Sequence, residues 1–121
     1  MLLTNNFTDD EFRCPCCGKL LDSLPFRAFI AKLQDARNIA GIPFVITSGY
    51  RCLKHNKAVG GGPDSSHLVG VAADIRTQTL LERFSIINGL MKAGFTRLGI
   101  GKKHVHVDMD VWKPQRLIWL H

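Results

Sequence analysis

No run in the chain approaches the roughly 20 uninterrupted apolar residues of a membrane-spanning helix, so no membrane insertion is expected. The opening residues MLLTNNFTDDEF lack both the basic start and the apolar stretch of about 7 to 15 residues that mark a secretory leader. Synthesis in the cytoplasm without a signal peptide is the expectation. Internal repeats, low-complexity tracts and dividing linkers are also missing, so the 121 residues read as one domain, 1–121. No HExxH occurs, which excludes the thermolysin arrangement of a zinc protease. Acidic residues are the scarcer charge: ten Asp and Glu against sixteen Lys and Arg leave +6, which favours anionic partners such as nucleic acid or a cell-wall polymer. The basic residues are scattered and no basic–aromatic stacking motif accompanies them, so nucleic acid is not the expected partner. The Trp residues of VWKPQRLIW are expected on the core or lining a cleft, and the chain is expected to be a monomer.

Cysteines are few and uneven. Three fall in CPCCG at 14, 16 and 17, and Cys52 stands alone. With no leader, a disulfide framework is not the default. Cys14-Pro-Cys16-Cys17 with Cys52-Leu-Lys-His55 has the C-x2-C and C-x2-H spacing of structural zinc ligands. Three readings stay open: a closed zinc site of Cys14, Cys17, Cys52 and His55 pinning the N-terminal segment to the loop that carries Arg51; a disulfide from Cys52 to Cys14, Cys16 or Cys17 formed in an oxidising exterior; or free thiols packed as small hydrophobes.

What is present is 45% hydrophobic residues, enough for a core without obligatory metals or disulfides. Thr8-x-x-Glu11 is a capping box, which predicts a short helical turn. Ser23 and Pro25 open a helix over about 24–40, with Phe26, Phe29, Ile30, Leu33 and Ala40 on its core face and Gly41 ending it. PFVITS at 43–48 predicts a strand. From Cys52 to Pro63 the chain reads as irregular, and VGGGPDSS is too glycine-rich for a regular element. Thr77 or Thr79 caps a second helix to about 93, with Leu80, Phe84, Ile87 and Met91 expected on one core-facing side. FTRLGI and HVHVDMDV predict two further strands. The expected fold class is α+β: a small antiparallel sheet with helices packed on it.

Two clusters carry chemistry. In SSHLVGVAAD, His67 and Asp74 are seven residues apart, an odd spacing that places them on opposite faces of a regular strand. They converge only if the segment bends, and Gly70 can supply the bend. In HVHVDMD, His104, His106, Asp108 and Asp110 alternate with apolar residues and so share one face. Four such groups are unfavourable there unless paired or bound to something. Two histidines and a carboxylate are the donor set of catalytic zinc sites that keep a position open.

SGYR at 48–51, Ser65-x-His67-x-x-Gly70-x-Ala72-x-Asp74 and the HVHVD strand together resemble the M15 family of zinc peptidases, the D-alanyl-D-alanine carboxypeptidase and phage endolysin group. The likeness runs from about Phe7 to Asp108, and HN with VGG at 59–61 fits it. It implies a hedgehog or D-Ala-D-Ala peptidase type of α+β fold. It further implies Zn2+ bound by His67, Asp74 and His106, Arg51 facing the substrate and His104 beside the metal. The implied partner is a bacterial peptidoglycan peptide, reached after release from the cell. Several members place a carboxylate three residues before the last zinc histidine as general base, and here that position is Lys103. His104 is then the expected proton carrier, and Asp108 is either an alternative base or the group that orients a histidine ligand. A zinc-containing wall-binding module without turnover is the alternative function.

Overall fold

The computed structural model describes residues 1–121. Three helices and five strands follow one another along the chain: α1 Leu24–Ala40, β1 Ile46–Ser48, α2 Leu53–Ala58, β2 Ala72–Arg76, α3 Leu80–Lys92, β3 Arg97–Ile100, β4 His104–Asp108 and β5 Leu117–Leu120. Short 3-10 turns at Asp9–Phe12 and Ser66–Val69 complete the elements. The first follows the capping box, with the Thr8 N–H donating to Glu11 Oε1 at 2.8 Å.

The strands form one sheet in the order β1-β2-β4-β3-β5. The first four pair antiparallel. β5, which the alternation of the sequence did not reveal, adds parallel to β3 with Arg97 opposite Leu117 and Gly99 opposite Trp119. The sheet is therefore mixed rather than antiparallel. LIWL has no polar–apolar alternation to mark it, because three of its four residues are exposed on a strand at the sheet's edge.

Helix α1 forms as its sequence dictates. The Ser23 hydroxyl accepts the Phe26 N–H, and Gly41 turns left-handed at φ 70° to hand its N–H to the Arg37 carbonyl. Phe26, Phe29, Ile30 and Leu33 are buried against the sheet's Ala73, Ile75, Leu98, Val105 and Val107. Helix α3 is capped by Thr79, which accepts the Glu82 N–H. Its core face differs from the expected one. Ile86, Gly89 and Leu90 are buried, whereas Leu80, Phe84 and Met91 are exposed and Ile87 only partly covered. Gly89 explains the rotation: a Cβ there would lie 2.5 Å from the Ala36 carbonyl oxygen, so the helices cross at backbone contact and the glycine faces inward.

PFVITS is a strand only over Ile46–Ser48. The stretch after Cys52 is not wholly irregular, since the Cys52 sulfur accepts the His55 N–H and starts the short helix α2. Trp112 is 92% exposed and belongs to neither core nor cleft, while Trp119 lines the cleft described next.

Candidate metal centre

The two central strands carry the site. Asp74 on β2 lies directly opposite His106 on β4, so strand pairing alone brings the two side chains to one face. His67 arrives from the 3-10 turn, which ends at Gly70 with φ 76° and donates the Gly70 N–H to the His67 carbonyl. The bend expected between His67 and Asp74 is thus a left-handed glycine cap. A Cβ at Gly70 would also press on Leu21 at 3.2 Å.

Donor atoms of His67, Asp74 and His106 all lie within 4.8 Å of one another, and all three residues are buried. His106 Nδ1 is 3.1 Å from Asp74 Oδ1, and His67 Nε2 is 3.5 Å from the same oxygen. Each ring is held from behind. His67 Nδ1 sits 2.7 Å from the Gly49 carbonyl oxygen, which only accepts, so Nδ1 carries the proton and Nε2 is bare. That Nε2 is buried and has no hydrogen-bond partner. His106 Nε2 is 2.7 Å from Asp108 Oδ2, so a ring protonated there leaves Nδ1 bare toward Asp74. An orphaned buried nitrogen pointing at a carboxylate and a second bare imidazole nitrogen is the arrangement a tetrahedral zinc ion fits, with one position left open.

Charge in the site is settled by contacts. Burial works against the Asp74 carboxylate, but the His106 and His67 rings set against it outweigh burial and hold its pKa well below the ordinary range. Burial opposes a charged His106 as well, and Asp108 and Asp74 overcome it and raise its pKa. Asp108 is 2% exposed and both its oxygens are engaged. Oδ2 faces His106, and Oδ1 accepts Arg97 Nε–H at 2.7 Å and the Asp110 N–H at 3.1 Å. These contacts outweigh burial and keep Asp108 ionised. Asp110 lies past the end of β4 and accepts the Ser66 hydroxyl at 2.8 Å, tying the His67 turn to the strand.

Arg51 reaches the centre from the loop after β1. Its Nη2 donates to Asp74 Oδ2 at 3.3 Å, Nε to the Ser48 hydroxyl at 3.0 Å and Nη1 to Asn56 Oδ1 at 3.4 Å. Arg51 lines the cleft and also braces the carboxylate. Asn56 in turn donates to the Gly62 carbonyl at 2.9 Å, and its amide fills the space a Cβ on Gly61 would need. Gly60–Gly62 therefore forms one rim of a cleft of about 320 Å³, lined also by His67, His106, Lys113, Trp119 and His121.

His104 is half-buried, with Asp74 Oδ1 or Oδ2 and a nitrogen of His121 each within 4.8 Å of a ring nitrogen. Its Nε2 lies 2.7 Å from His121 Nδ1. His121, which the sequence pattern did not single out, stacks on His106 at 4.6 Å between ring centroids. Burial, then the charge on His106, push its pKa down to about 4. Trp119 lies 5.6 Å from His106, and the Arg97 guanidinium covers the indole at 4.9 Å. Two glycines make room: a Cβ on Gly101 would occupy the His104 ring, and one on Gly99 would press on His121 at 3.0 Å. Lys103 is exposed and lines a separate basic cleft with Arg76, Arg83 and Lys102, so it contributes nothing to the metal centre.

At the second predicted cluster, the sulfurs of Cys14, Cys17 and Cys52 lie within 4.8 Å of one another, and all four cysteines are unbridged. The His55 ring is not among the donors gathered there.

No curated protein matches the chain. The family model for Peptidase M15 matches residues 5–110, a span that contains His67, Asp74 and His106. With most of its length covered by that match, the chain belongs to the peptidase M15 family.

Proposed function

We propose that the chain is a zinc-dependent peptidase that hydrolyses an amide bond in the stem peptides of bacterial peptidoglycan and acts on the wall after release from the cell. The observation that carries this reading is the bare, buried His67 Nε2 converging with Asp74 and His106 at the floor of an open cleft. His67, Asp74 and His106 would hold the ion, which when bound supplies Lewis-acid polarisation of the scissile carbonyl and activation of water.

The chain's own residues do the rest. Gly49 and Asp108 fix the two imidazoles in the tautomers that ligation requires. Arg51 holds Asp74 in register and presents permanent positive charge to a substrate carboxylate or a developing oxyanion. His104 moves the proton, and His121, uncharged at neutral pH, hydrogen-bonds it and fixes its ring. Asp108 is a positioning residue, since both its oxygens are occupied in a buried network.

Lys103 favours a second reading, in which the same centre holds zinc in a wall-binding module without turnover. Mass spectrometry of peptidoglycan fragments incubated with the protein, with chelator and with zinc restored, separates the two. Fragments that appear only with metal support the enzyme, and their masses name the bond. Zinc bound with no fragment overturns it. His104→Ala is expected to keep zinc and lose most turnover; full activity would remove His104 from the proton step.

A further inference from the structure

We infer that the chain holds a second, closed zinc site whose donors are the thiolates of Cys14, Cys17 and Cys52. It is independent of the peptidase reading, because it shares no residue with the His67 centre. Residues 14–19 fold into a tight knuckle: Cys14 N–H donates to the Lys19 carbonyl at 2.8 Å, Gly18 N–H donates to the Cys14 carbonyl at 2.7 Å, and Gly18 takes φ 73°. A backbone N–H of the facing segment points onto sulfur: Cys14 Sγ receives that of Cys52 at 3.4 Å. Cys52 Sγ receives the His55 N–H at 3.4 Å. Two of the three sulfurs thus already accept a backbone N–H.

Zn–S bonds of about 2.3 Å in a tetrahedron set sulfurs roughly 3.8 Å apart. The three sulfurs lie within 4.8 Å of one another, and Cys16 Sγ is 3.9 Å from Cys52 Sγ. Cys14 is fully buried while Cys17 is exposed, so the site closes over the knuckle at the surface. The fourth position falls to Cys16 or to His55, the further donors that the same two segments carry. Ligation would release the thiol protons and join chain segments 38 residues apart, counted from Cys14 to Cys52.

The test is metal content of protein purified with reductant and zinc, for the wild type and for an Asp74→Ala/His106→Ala double variant that removes the other centre. The double variant is expected to retain about one zinc per chain, released by a mercurial reagent, and cobalt in its place is expected to give a sulfur-to-cobalt charge-transfer band. Band intensity reads three thiolates or four, and either supports the site. Cys17→Ser is expected to abolish the band. If that variant does not fold, thiol labelling of the double variant decides: zinc should slow it at least tenfold. A double variant without zinc, equal labelling with and without metal, or a Cys52 disulfide in the reduced preparation overturns the inference.

Discussion

Asp108 shows how much of the metal centre is decided outside its ligands. The carboxylate is shared between His106 and Arg97, and removing its charge leaves a buried guanidinium unpaired and an imidazole free to choose the wrong tautomer. Asp108→Asn is expected to weaken zinc binding about 10- to 100-fold, read by competition with a chromophoric chelator. Unchanged affinity would show that His106 is oriented by the strand alone. Gly101 acts at the same scale. The His104 ring occupies the space of its missing side chain, so Gly101→Val must displace the ring. Turnover is expected to fall at least tenfold with zinc content preserved, and simultaneous assays of both would show it. The bend at Gly70 that lets His67 meet Asp74 was legible from their odd spacing, and His106 from its place on an alternating strand. Arg97 and His121 were not, since an arginine paired through space with Asp108 and a histidine beyond the last strand leave no periodic trace.

Among the elements, α3 separates pattern from packing. Leu80, Phe84 and Met91 recur at helical spacing yet lie on the outside, because the inward side is set by Gly89 against the backbone of α1. Leu90→Ala is therefore expected to cost about 2–5 kcal/mol in urea unfolding. Phe84→Ser, at a position 68% exposed, is expected to stay within about 0.5 kcal/mol. The reverse order would restore the face that periodicity suggests. Helix α1 was legible throughout, since its cap, its apolar stripe and its terminal glycine agree. β5 escaped because an exposed edge strand does not alternate. The loop from Gly49 to Cys52 joins elements in another way: a Cβ at Gly49 would lie 2.6 Å from the Phe12 Cα, and Tyr50 donates to the Phe12 carbonyl at 3.0 Å. Gly49 is buried, so Gly49→Ala is expected to move the carbonyl that holds His67 and to lower zinc affinity, read by the same chelator competition.

For the whole molecule, the candidate centre gathers residues that are far apart in sequence, from Gly49 to His121, so zinc binding there would be coupled to folding. A ligand bound only to the folded state adds about 2.7 kcal/mol at a free concentration 100 times its dissociation constant. Zinc is expected to raise the thermal midpoint by several degrees in a concentration-dependent way, and chelation to reverse this. A midpoint indifferent to zinc would place the donors in a site too loose to hold it. The α+β class and the single core were legible from composition and from the two helical patterns. The parallel strand that closes one edge depends on pairing at a distance, which no local window encodes.

The position of β2 and β4 inside the strand order has a kinetic meaning. Each is flanked by a paired strand on both sides, while the Gly60–Gly62 rim and the turn holding His67 are fastened by side chains and a few backbone bonds. Amide protons of Ala73–Ile75 and Val105–Val107 should then be the last to exchange with deuterium, and those of the rim among the first. Under such a gradient an ion would leave by the breathing of one wall, with two of its three ligands still standing in place, and the vacated centre would be ready to take it back without refolding.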